Sequence, residues 1–153
     1  MQLRLNVMSP AGAGGMPLQR RLVRDLMTTR VITMDGNASL RRVDDVMRIG
    51  GIRHMPIVND NGSLAGIVTQ RDLFRSGLLR ALGFGSHASG EAPETLVVRQ
   101  AMKTDPVTTT PDVPVTEAAK LMLERKIGCL VVLEAGQIAG ILTESDFVRH
   151  ALE

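Results

Sequence analysis

The sequence predicts an α/β (α+β) fold built from two β-α-β-β-α repeats packed sheet to sheet around a pseudo-twofold axis. Two observations point there. "AGIVTQRDLFR" at 65–75 and "AGILTESDFVR" at 139–149 share six of eleven positions, and the swap of Val68 for Leu142 keeps the apolar pattern. Slid against itself by 75 residues, the chain also matches Val23 to Val98, Met27 to Met102, Thr33 to Thr108, Leu40 to Val115 and Met47 to Met122. After Asp60 the offset becomes 74, because "NDNG" in the first copy stands against "EAG" in the second. A hairpin tip tolerates that deletion better than any strand or helix would. A single unit of roughly 53 residues can hardly bury a sheet on its own, so two must share a core.

Each copy opens with a small helix carrying Met27 or Met102, followed by a short extended stretch, "VIT" or "VTT". Ser39 is placed to cap the next helix, whose Leu40, Val43, Val46 and Met47 fall on one face. In the second copy Pro114 takes a first-turn position, with Val115, Ala118, Leu121 and Met122 inside. Two apolar runs around a turn then predict a hairpin, "HMPIV" to "SLAGIV" and "CLVVL" to "QIAGIL". A last helix starts at Thr69 or Thr143. The expected organisation is an arm over 1–22, flexible or a short added strand through Leu3, Leu5 and Val7. A first repeat over 23–82, a linker over 83–94 and a second repeat over 95–153 follow.

Composition excludes several classes. With 44% apolar and 22% charged residues, the chain reads as an ordinary globular protein. The net charge of +2 gives no strong positive field, and without Trp or Tyr there are almost no platforms for stacking single-stranded bases. Nucleic-acid binding through Arg20, Arg21, Arg24, Arg41 and Arg42 is therefore the weakest of three functional readings. Cys129 is the only cysteine, so no intrachain disulfide forms and a reducing, cytoplasmic setting is expected. No apolar run approaches the ~20 residues that a membrane-spanning helix needs. His54, His87 and His150 show no metal-ligand spacing with each other or with Cys129, so neither a metal centre nor a catalytic one is expected.

Thr69-x-x-Asp72 and Thr143-x-x-Asp146 admit two readings. One is a helix capping box, in which the hydroxyl and carboxylate satisfy free N–H groups of the first turn. The other is a ligand site, with the helix N-terminus receiving a phosphate and the carboxylate accepting from two ribose hydroxyls. Charge-assisted bonds of that kind contribute about 1.5–3 kcal/mol each. Gly66 and Gly140 precede each Thr by three residues, where a missing side chain would let a ligand approach the strand.

The ordered set of Met, "V-x-T", amphipathic helix, "RHMPIV" and "GIVTQRD", written twice, resembles the cystathionine β-synthase (CBS) domain, and the pair resembles a tandem CBS or Bateman module. The resemblance covers residues 23 to about 150. It implies a non-catalytic sensor without an obligatory cofactor, binding AMP, ADP or ATP, with S-adenosylmethionine or NAD as further candidates. It further implies a disc-shaped homodimer and a protein partner regulated in trans. Carried over residue by residue, Asp72 and Asp146 hold the ribose, Thr69 and Thr143 sit at the phosphate, and Ser145 adds a second hydroxyl. Val107, Ile127, Gly128 and Cys129 would line the Asp72 pocket. Ile32, Ile52, Arg53 and His54 would line the Asp146 pocket. The charges of Arg53 and His54 make the Asp146 pocket the expected tighter site. The alternative of a different class is a dimeric scaffold that keeps the fold and binds no nucleotide.

Overall fold

The computed structural model describes residues 16–81 and 96–152, with 78–81 as backbone only. Of the expected arm over 1–22, residues 1–15 lie outside them, as does the linker at 83–94. Two three-stranded sheets carry the fold, one ordered β1 (Met34–Asp35), β2 (His54–Val58), β3 (Leu64–Thr69), the other β4 (Thr108–Thr109), β5 (Cys129–Glu134), β6 (Gln137–Thr143). In each sheet the first strand runs parallel to the second and the hairpin is antiparallel. The helices are α1 (Val23–Leu26), α2 (Leu40–Gly50), α3 (Gln70–Ala81), α4 (Val115–Arg125) and α5 (Glu144–His150). The repeat is thus expressed as two copies of one sheet-and-helix unit.

Alternation along the strands divides the interior into layers. Leu130 and Val132 of β5 face α4 with Ala118 and Met122, whereas Cys129 and Val131 face Ile67 of the other sheet and Ile141. The second cluster is the sheet-to-sheet contact. Met55 and Ile57 of β2 join Val43 and Met47 of α2 on the opposite outer side.

The leading segments are exchanged between copies, which the repeat pattern did not reveal. Val23 at the head of the first copy is fully buried among Ala118, Leu130 and Leu142 of the second. Val98, at the head of the second, is fully buried among Val43, Met55 and Val68 of the first. Backbone bonds fasten both exchanges: Val23 N–H donates to Val113 C=O at 2.9 Å, and Val98 N–H to Ala38 C=O at 2.8 Å. The chain then crosses a strand of the opposite sheet, through the bridges Thr28–Ile141 and Lys103–Ile67.

This crossing corrects the expected role of the glycines. A Cβ on Gly66 would stand 2.5 Å from the Lys103 carbonyl oxygen, and one on Gly140 would stand 2.7 Å from Met27 Sδ. What approaches the strand there is the exchanged segment of the protein itself, with no room left for a ligand.

Local chemistry accounts for the remaining differences between copies. Expected at 31–33, the first strand forms at Met34–Asp35 instead. In the second copy Val131 N–H donates to Val107 C=O at 3.3 Å. The matching position in the first copy is Pro56, which has no N–H, so pairing begins later. The hairpin tips differ by one residue: Ala135 and Gly136, both at positive φ, close the second, which is the two-residue turn that matches strand twist. The first is longer, with Asn59 N–H donating to Ser63 C=O and Gly62 at positive φ. Ser39 Oγ accepts from Arg42 N–H at 3.2 Å, capping α2. Pro114 is the residue before α4 and not within its first turn.

Candidate functional site

Between the two copies lies an open cleft of about 1150 Å³. Thr69 and Asp72 from the β3–α3 junction form one wall; Val107, Ile127, Gly128 and Cys129 of the second copy form the other. Those six residues are the set expected around Asp72. Apolar side chains of α3, α4 and α5 (Phe74, Leu123 and Phe147) close one side, and Phe74 and Leu123 are 72% and 78% exposed.

Charge is concentrated here. Arg53, Arg71, Lys103 and Lys126 meet Asp72, Asp105 and Glu144 along the lining, a surplus of one cation before His54 is counted. Arg53 and His54, expected beside Asp146, are in the lining of this cleft. His54 pairs with Thr69 across the hairpin, which puts it on the Asp72 wall. Its Nε2 lies 3.0 Å from where a Gly128 Cβ would stand, so the bare glycine is what admits the imidazole. Burial lowers the His54 pKa, with Glu144 opposing, Arg53 assisting and Asp72 opposing. Burial also pushes the Cys129 thiol up to about 12, so it is a packed neutral side chain and not a nucleophile at neutral pH.

The Thr-x-x-Asp turns are capping boxes in both copies. Thr69 N–H and Thr69 Oγ1 donate to Asp72 Oδ2 at 2.9 and 2.8 Å, and Asp72 N–H donates back to Thr69 Oγ1 at 3.1 Å. Thr143 N–H and Oγ1 likewise donate to Asp146 Oδ2 at 2.7 and 2.9 Å. Each threonine hydroxyl proton is thereby committed to its own aspartate. The first turn of α3 thus keeps its cap, and Asp72 keeps Oδ1, which takes no hydrogen bond from the described residues.

Asp146 is placed otherwise. It is 4% exposed, and its Oδ1 accepts from Thr28 Oγ1 at 3.3 Å and from Arg149 Nη1 at 3.1 Å. Ser145 is exposed on α5, and Ile32 and Ile52 lie together beside Gly50 at the end of α2.

Sequence reasoning missed Lys103, Lys126 and Glu144 in the cleft. Lys103 arrives with the exchanged segment, one residue after Met102 crosses Gly66. Lys126 follows α4 at φ 54, where its counterpart Gly51 has φ 62. The signal the sequence offered for it is a lysine in the second copy where the first copy has Gly51.

The model of the CBS domain matches residues 23–78 and 98–153, most of the chain. The chain belongs to the CBS domain family. A CBS domain-containing protein of Dictyostelium discoideum is 33% identical over 83% of this chain and 88% of its own length. A homoserine O-acetyltransferase of Methanococcoides burtonii is 34% identical over 83% of this chain, yet the chain spans only 23% of that enzyme. Among solved structures, AcuB of Vibrio cholerae, assigned to acetoin utilization, superposes with a TM-score of 0.73 at 34% identity, covering 86% of this chain and 90% of that one. CBSX2, solved with AMP, gives 0.73 at 28% identity over 86% and 96%. The CBS domain pair of protein MJ0100, solved with 5′-methylthioadenosine and S-adenosylmethionine, gives 0.71 at 25% identity over 85% and 98%. Paired CBS domains of this architecture therefore hold adenosine compounds in more than one solved case. No helix among the described residues is long and apolar enough to cross a membrane.

Proposed function

We propose that this CBS pair is a regulatory, non-catalytic sensor that binds an adenosine nucleotide of the AMP, ADP or ATP class in the Asp72 cleft. The observation that carries the reading is a carboxylate held by Thr69 through Oδ2, with Oδ1 taking no hydrogen bond from the described residues, in the lining of a cleft bordered by four cations. A ribose offers hydroxyl donors to that oxygen. Phosphates find Arg53, Arg71, Lys103 and Lys126, and the base finds the apolar wall of Val107 and Ile127. The protein acts in the cytoplasm, as a homodimer, on a partner in trans, through a shift in repeat packing when the cleft fills.

Mass spectrometry of small molecules released from the purified protein identifies the compound. Titration calorimetry with AMP then measures its grip. Asp72→Ala should lower affinity at least about 30-fold, from the loss of charge-assisted bonds. Unchanged affinity in that variant would overturn the reading. Ligand at 100 times its dissociation constant adds about 2.7 kcal/mol of stability, a rise of several degrees in Tm.

A further inference from the structure

We infer that Asp146 is a latched carboxylate, its Oδ1 taken by the protein's own Thr28 and Arg149, so that each chain takes one nucleotide and not two. This rests on the nucleotide reading above and deepens it. Asp146 occupies the same helix position as Asp72, with the same Thr cap on Oδ2. On Oδ1 the two part. Thr28 Oγ1 and Arg149 Nη1 supply the two donors that a ribose would otherwise offer.

The latch depends on which residues the repeat places around each carboxylate. Thr28 is the residue carried over β6 by the exchanged first segment; its counterpart over β3 is Lys103, and neither it nor Arg75, the counterpart of Arg149, bonds Asp72. The short Thr28 side chain donates to Asp146, while the longer Lys103 lines the open cleft; both residues are exposed. Thr28 is anchored by backbone: its N–H donates to Ile141 C=O at 2.9 Å, and Ile141 N–H to Thr28 C=O at 3.0 Å. An incoming ribose must break two existing bonds to make two new ones, and must also uncover a carboxylate that is 3% exposed. Displacing each bond weakens the second site by about tenfold relative to an open carboxylate. Arg149 is 67% exposed, so it is the movable half of the latch.

Calorimetric titration of AMP into the full chain tests this. The wild type should bind one AMP per chain, and Asp72→Ala should abolish that site without unmasking another. Thr28→Val/Arg149→Ala, with Asp146 untouched, should raise the stoichiometry to two. Arg149→Ala alone, at an exposed side chain, serves if the double variant fails to fold, and should show a weaker second site. Two AMP per wild-type chain, or a single site in both latch variants, would overturn the inference. Binding by the latch variants but not by the wild type would overturn the Asp72 reading and leave the latch standing; silence from every form would overturn both.

Discussion

At the start of α5 a buried carboxylate accepts four hydrogen bonds; at the start of α3 its repeat partner accepts two, both on one oxygen. The local motif is the same at both helices. The difference lies in the neighbours: Thr28 and Arg149 bond Asp146, whereas their counterparts Lys103 and Arg75 do not bond Asp72. Duplication therefore conserved the cap while its surroundings diverged, and a twice-written motif need not be twice-used. Arg53 and His54, the charges on which the expectation of a tighter Asp146 pocket rested, are in the lining of the cleft that also holds Asp72.

The largest expected effect concerns the crossings that bring Thr28 and Lys103 into place. Gly66→Ala drives a Cβ against the Lys103 carbonyl at 2.5 Å and should cost about 2–3 kcal/mol in urea denaturation. Gly140→Ala meets chiefly the flexible Met27 thioether and should cost less. Equal costs would show that the two crossings are not the rigid elements described.

Next comes the comparison of carboxylates without ligand. Asp146→Ala removes a buried carboxylate with its four hydrogen bonds and leaves a cavity, and should destabilise by about 2–3 kcal/mol. Asp72→Ala removes a half-buried cap and should cost about 1 kcal/mol. Reversal of that order in thermal or chemical unfolding would break the asymmetry at its source.

Lys126→Gly sharpens the contrast from the opposite direction. Relieving a left-handed lysine should stabilise the fold by about 0.5–1 kcal/mol, and removing a cleft cation should weaken AMP binding several-fold. The corresponding change at Gly51 to Lys should cost stability without altering affinity.

Smallest is the pH effect of His54. Its folded-state pKa is depressed below 6.5, chiefly by burial, so the unfolded chain binds more protons in the window between the two values. Stability should therefore rise with pH across that window and level off above about 6.5. Melting temperatures at pH 5 and pH 7.5 should differ less in His54→Gln than in the wild type.

The sequence made the architecture legible because a repeat fixes element order, strand register and hairpin position together. Val43 and Met47, or Ala118 and Met122, announce their buried faces by helical spacing. Asp72 and its partners Val107, Ile127, Gly128 and Cys129 were legible through family resemblance. Three things were not. Pro56 delays β1 through a missing N–H that no periodicity registers. The exchanged segments are invisible because Val23 and Val98 are apolar whichever sheet they cover. The state of Asp146 depends on a contact between residues 118 apart in the chain, Thr28 and Asp146. Local motifs state what a turn can do, and long-range packing decides whether it is left free to do it.

A crystal structure of the chain grown with AMP gives the most direct test. The account predicts a ribose on Asp72 Oδ1, with the Thr28 and Arg149 bonds to Asp146 intact. A ribose on Asp146, with Arg149 swung away and Asp72 unoccupied, would contradict it.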